Sequence, residues 1–223
     1  MESSPGKGGV VIRIPSLSSF DNSDWAAIST AFEHAPLLKM GQAWRGGLEK
    51  NFRGAEVRVG WREGAVLVFA RMTDDCCFTG ATGDNQRLWE LGDVFEMFVK
   101  DAERQEYFEF HISPRGHRLQ LRFPNRAAIG QLRTREAKLA DFMIDESAFN
   151  FKVRDTANGW EAFAELPNEL FGWEETPGHA LLASFSRYDY GDKGGDPVLS
   201  STSEHVELNY HRQEEWKRLV ISP

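Results

Sequence analysis

From residue 56 onward the chain alternates apolar and polar residues with a period of two, the repeat of a strand whose two faces meet different surroundings. Glu56–Trp61 and Val66–Thr73 are two such runs, separated by the short glycine-bearing turn Arg62-Glu63-Gly64. Asp93–Lys100, Tyr107–Ser113 and His117–Phe123 follow, the last two joined by Pro114-Arg115-Gly116. Phe149–Asp155 and Trp160–Leu166 read as a further hairpin around Ala157-Asn158-Gly159. A long strand over Ala180–Tyr190 and a closing one over Lys217–Ser222 complete the series. Ahead of it, Val10–Ile14 predicts a first strand stopped by Pro15, and Asn22-Ser23-Asp24 offers caps for a short helix carrying Trp25, Ile28 and Phe32 on one side. Leu37 to Gly54 is glycine-rich and shows no period, whereas Arg126–Asp141 has the composition of a helix or an ordered loop. Many short strands separated by turns predict an all-β fold: a two-sheet antiparallel β-sandwich, jelly-roll-like, with one or two short helices. No repeat or linker divides it, so residues 10–223 read as one domain behind a flexible segment 1–9.

The alternation also assigns faces. Phe95, Met97 and Val99 share one side of their strand, with Glu96 on the other; Phe108, Phe110 and Ile112 oppose Tyr107, Glu109 and His111. In the next strand Leu119, Leu121 and Phe123 oppose Arg118, Gln120 and Arg122. If the three are neighbours, the apolar sets form a core. The other face is then a solvated polar row of Glu96, Glu109, His111, Arg118, Gln120 and Arg122.

Composition narrows the function. A chain of 223 residues buries about three quarters of its unfolded surface and needs no disulfide or metal to hold a core. The net charge of −8 argues against nucleic acid and against an anionic membrane surface as partner. No apolar run approaches the roughly 20 residues that cross a bilayer, and Met1 to Gly9 lacks the apolar stretch of a secretory signal. The expected location is cytoplasmic, or exported if a leader has been removed. Cys76 and Cys77 are adjacent, a spacing that disfavours a mutual disulfide, and they form no zinc pattern. They are expected to be reduced thiols. Nucleophile elbow, phosphate loop, dinucleotide fingerprint and zinc-protease helix are all missing from the sequence, so an enzyme is not expected.

Leu88-Trp89-Glu90-Leu91-Gly92-Asp93-Val94-Phe95-Glu96-Met97-Phe98 resembles the signature of family 9 carbohydrate-binding modules. Val57–Trp61, Val66–Asp74, Tyr107-Phe108-Glu109-Phe110, Gly159-Trp160-Glu161-Ala162, Leu166-Pro167, Phe185–Asp189 and Asn209–Trp216 fit the same family in order and spacing. The resemblance implies a non-catalytic module that sandwiches a mono- or oligosaccharide, often its reducing end, between two aromatic rings. It places Trp89 as one ring and Tyr210 as the other, Glu96 as the carboxylate, and His111 where sugar-binding members carry an Arg. Gln120 and Arg187 are candidate partners for the hydroxyls. The resemblance also implies Ca²⁺ as a candidate ion and a glycoside-degrading enzyme as a candidate partner.

Each residue has a plainer reading. Trp89 would be a sugar platform, since sugars stack a C–H face on aromatic rings, or a cap on the core at a strand end. Glu96 would accept two hydroxyls or pair with Arg118 or Arg122 across strands. His111 would donate to a ligand, bind metal, or sit satisfied beside Glu109. Tyr210-His211-Arg212 concentrates hydrogen-bonding groups in one loop; Arg187 and Asp189 would touch the ligand or form an ion pair supporting that loop. The alternative to sugar binding is a sandwich of the same family that has lost it and serves as an interaction or scaffold domain.

Overall fold

The computed structural model describes residues 11–144, 148–172, 176–191 and 195–222; the segment expected to be flexible, 1–9, lies outside them. Among the described residues are twelve strands: β1 (Val11–Ile14), β2 (Leu37–Lys39), β3 (Ala55–Arg62), β4 (Ala65–Thr73), β5 (Val94–Asp101), β6 (Tyr107–Ile112), β7 (Arg118–Phe123), β8 (Asn150–Thr156), β9 (Gly159–Pro167), β10 (Ala180–Asp189), β11 (Val198–Ser201) and β12 (Lys217–Ile221). They form two sheets, ordered β1-β12-β10-β5-β6-β7 and β2-β3-β4-β9-β8, with β11 on the far half of the β10 edge that β12 also uses. All pairings between these strands are antiparallel except β1 with β12, which is parallel. The expected sandwich is present.

The space between the sheets is filled by the predicted alternation. Phe95, Met97 and Val99 of β5 and Phe108, Phe110 and Ile112 of β6 meet Val57, Val59, Val68 and Ala162 of the opposite sheet. The predicted short helix is α1 (Trp25–Ala31), whose Asp24 side chain accepts the Ala26 N–H at 2.8 Å as an N-cap. It lays Ile28, with Phe32 just beyond, on the outer face of the second sheet against Leu67, Phe69 and Phe163.

The outer face of the first sheet is covered too. Opposite residues of an antiparallel pair share a face, and β6 pairs His111 with Leu119, Glu109 with Leu121 and Tyr107 with Phe123. Leu119, Leu121 and Phe123 therefore do not join the inter-sheet core, contrary to the expected arrangement. They lie on the outer face with Glu96, Glu109 and His111, in a second apolar cluster with Phe98, Tyr107, Phe142, Tyr210 and Trp216. Three chain segments form the cover: the one-turn helix α2 (Leu88–Leu91), the loop bearing α3 (Ala128–Arg133) and a 3₁₀ turn (Leu139–Phe142), and residues 204–216. The polar side of β7 consequently turns inward at the sheet edge. Arg118 donates to the Phe149 carbonyl at 2.9 Å and lies 5.0 Å above the Phe151 ring, and Arg122 pairs with Glu106 at 2.6 Å. Gln120 is fully buried there.

A fourth short helix, α4 (Asn168–Phe171), follows β9. Among the described residues no helix is long and apolar enough to cross a membrane.

Candidate functional site

Under the cover lies a cavity of about 340 Å³, bounded by Trp89, Phe98, Tyr188 and Tyr210, with Glu96, Glu109, His111 and His211 on its polar side. Leu121, Phe123, Ile129, Leu132 and Leu139 complete the apolar wall.

Trp89 reaches the cavity because α2 ends at Gly92, whose φ of +148° permits the chain to turn back against Phe78 and Thr79. A Cβ at Gly92 would stand 2.5 Å from the Phe78 carbonyl oxygen. The Tyr190 hydroxyl donates to the Trp89 carbonyl, fixing the helix from the other side. The half-buried indole meets His111 edge-on at a 5.5 Å centroid separation, with the Arg87 guanidinium 6.0 Å from its ring. Tyr210 is more deeply set, 6 % exposed, with Trp44, Phe98 and Tyr188 about its ring at 6.0–6.1 Å. Its carbonyl accepts the Trp216 indole N–H at 2.8 Å, and the Arg212–Glu215 and His205–Glu215 pairs tie down the same loop.

The polar side is a chain of alternating acids and imidazoles. His111 Nδ1 lies 3.1 Å from Glu96 Oε1, and its Nε2 lies 3.4 Å from Glu109 Oε2. Glu109 Oε1 lies 3.1 Å from His211 Nδ1, which the Tyr107 hydroxyl also approaches at 3.1 Å. These groups are not solvated on an open sheet face, as the alternation suggested; Glu96, Glu109 and His111 are 2–4 % exposed. Burial pushes the Glu96 carboxyl up to about 7, its charged form losing more hydration than His111 returns. Burial acts on Glu109 as well, yet the His211 charge and bonds from both imidazoles prevail and hold it at about 2. Burial likewise opposes His111⁺, and the adjacent Glu96 and Glu109 overcome it and raise the imidazole above its usual range. Two carboxyls of one type are thus driven apart by position alone.

Of the expected site residues, the structure brings Trp89, Glu96, His111 and Tyr210 to one cavity. Gln120 and Arg187 are elsewhere. Gln120 faces Phe110 across the ladder, on the inter-sheet side, because β7 presents its apolar residues to the cover. Arg187 stands opposite Phe95 and also points between the sheets, where it donates to the Thr73 carbonyl at 2.7 Å and to Asp74 at 2.8 Å. Sequence reasoning noted His211 only as part of the Tyr210-His211-Arg212 loop and did not select Tyr107 or Tyr188, although Tyr107, Glu109 and His111 share a face at the strand period. The arginines of the covering loop, Arg133 and Arg135, carried no sequence signal.

A second acidic cluster sits behind the cavity. Carboxylate oxygens of buried Asp74, Asp93 and Asp189 lie within 4.8 Å of one another. Arg187 Nη2 already stands 2.8 Å from Asp74 and 3.3 Å from Asp189. Asp93 accepts the backbone N–H groups of Phe78 and Tyr190, at 2.5 and 2.7 Å. Ca²⁺ takes six to eight oxygens, and here it would have to displace a guanidinium. The donor set fits that ion poorly.

No protein-family profile and no curated protein matches the chain. Solved structures do. A candidate carbohydrate-binding protein from Bacteroides uniformis superposes with a TM-score of 0.73 at 13% identity, covering 96% of this chain and 100% of that one. A family 9 carbohydrate-binding module from Caldicellulosiruptor kristjanssonii, in complex with cellotriose, gives a TM-score of 0.63 at 11% identity, covering 96% and 94%. One from the same organism in complex with glucose gives 0.61 at 10%, covering 96% and 95%. Two mainly antiparallel sheets matched over nearly the whole length show that this chain has the fold of a family 9 carbohydrate-binding module.

Proposed function

We propose that the cavity binds a small saccharide without transforming it. The observation that carries this reading is the pairing, in one cavity, of a half-exposed indole with a buried row of carboxylate and imidazole groups. An aromatic face suits the C–H side of a pyranose, and fixed acceptors and donors suit its hydroxyls. The fold supports it, since modules of the same architecture are those with glucose and cellotriose. In this reading Trp89 is the stacking ring, Glu96 and His111 bond hydroxyls, and Tyr210 closes the far wall. A reducing end held between Trp89 and Tyr210 is the finer form, and a role beside a glycoside-degrading enzyme agrees with it.

Glu96 and Glu109 do not resemble a hydrolytic acid pair, because the His111 ring stands between them, 3.1 Å from one and 3.4 Å from the other. One observation favours the scaffold reading: Tyr210 is packed among Trp44, Phe98 and Tyr188 rather than standing free.

Calorimetry with glucose, cellobiose and cellotriose on the wild type and Trp89→Ala separates the two. Saccharide binding lost in Trp89→Ala, with the variant still folded, is the expected result. No heat and no thermal shift from a broad set of mono- and disaccharides would leave the scaffold reading in its place.

A further inference from the structure

The mouth of the cavity carries a charge that a neutral sugar does not use. Arg87, Arg133 and Arg135 line it, and all three are exposed, on a chain whose net charge is −8. Arg87 is matched by Glu90 at 3.0 Å. Arg133 donates to the neutral amide of Asn209 at 3.3 Å, and among the described residues neither it nor Arg135 has a carboxylate within 4.0 Å. The acids below do not cancel these charges, because Glu109 is already flanked by His111 and His211, and His111 faces Glu96.

The backbone adds an independent pointer. Arg135 has a φ of +65°, just past the Thr134 C-cap of α3, and its N–H bonds the Leu132 carbonyl. That is the left-handed position which glycine ordinarily fills at a helix end. A long charged side chain there is strained, and strain of this kind gathers at ligand sites. The guanidinium fork is also the group best shaped for a carboxylate or phosphate.

We propose that the saccharide taken by this cavity is acidic, its anionic group held at the mouth by Arg133 and Arg135. The inference rests on the sugar-binding reading and names its ligand class. The shared chemistry is a sugar bearing an oxyanion, either a uronate carboxylate or a phosphate ester.

The test is calorimetry on the intact protein at neutral pH with glucose, glucuronate and glucose 6-phosphate, in low and high salt. One of the two anionic sugars is expected to bind about ten-fold more tightly than glucose, as two charge-assisted contacts at a partly wet site allow. Which of them does so distinguishes carboxylate from phosphate. High salt, and the double variant Arg133→Gln, Arg135→Gly, should bring that ratio close to one. The glycine relieves the strained backbone, so an undiminished melting temperature in Arg135→Gly reports that α3 and its turn persist. Equal affinities for all three sugars in the wild type, or a preference that survives the double variant, overturns the acidic class while leaving sugar binding intact. Absence of binding by any sugar removes the underlying reading, and this inference with it.

Discussion

Replacing Glu96 by Gln should flatten the fall of stability with rising pH. The buried Glu96 carboxyl, pushed from 4.5 up to about 7, binds a proton in the folded protein that the unfolded chain has already released. Its neutral form is accommodated below pH 4.5, and the penalty for ionising it grows as pH rises to about 7, reaching about 3 kcal/mol. His111, raised above 6.5, acts in the same sense: its stabilisation is present below that value and disappears as pH passes the folded-state value. Asp93, pushed up to about 7 by burial, adds a similar loss. Glu109 works at the other end, its contribution present above 4.5 and lost as pH falls toward about 2. The wild type should therefore lose stability between pH 4.5 and about 7, with the His111 share going last. Glu96→Gln keeps the Asp93 share, removes that of Glu96, and weakens that of His111. Thermal melts at half-unit steps should show the wild type falling by about 6–12 °C more than the variant across this range, at 2–4 °C per kcal/mol for a chain of this size. Parallel curves would refute the reasoning, because they would mean Glu96 is ionised and solvated in the folded protein.

Tyr210→Ala should cost about 3–5 kcal/mol, as for other buried aromatics, whereas Tyr210→Phe should melt close to wild type; equal melting of all three would show the ring to be a free platform. Arg187→Met should cost about 3–5 kcal/mol in urea unfolding, since it leaves Asp74 buried without its cation and Asp189 with Arg53 alone, at 3.8 Å. The Cys76→Ser, Cys77→Ser double variant should melt and bind as wild type. Cys76 is exposed, and the Cys77 thiol, pushed up to about 11 by burial, should react slowly with a thiol reagent at neutral pH.

The strands with clean alternation were legible, and so was the face that each side chain of β5 and β6 occupies. What misled at β7 was the assumption that one face of the sheet is wet. Leu119, Leu121 and Phe123 are apolar because α3 and the Leu139–Phe142 turn cover them, and an apolar side in a sequence does not say which of two buried layers it enters. β2 and β11 were missed for a different reason. Three residues are too few to display a period, and Val198-Leu199-Ser200-Ser201 pairs with β10 through its backbone while its serines carry no alternation. Trp89, Glu96, His111 and Tyr210 could be placed because local motifs carry them. Arg133 and Arg135 reach the cavity through a long loop whose path depends on tertiary packing.

The parallel pair at the sheet edge has a consequence for how the chain is made. β1 leaves the ribosome long before its partner β12, since nearly the whole domain lies between them in the chain. Directly after β1, Pro15 and Leu17 exchange hydrogen bonds with Trp61 of β3, so one short stretch laces the first sheet to the second. Half of that lacing can form early, while the other half waits for residues 218–221. Contacts so distant along the chain are slow to close, because loop entropy is spent before the pairing rewards it. Until β12 emerges, β1 and the Ala180–Ala183 half of β10 both lack the strand that lies between them. Nascent chains stalled short of β12 should accordingly hold a nearly complete second sheet beside a first sheet with an open edge, the state in which this protein is most exposed to aggregation and to chaperones.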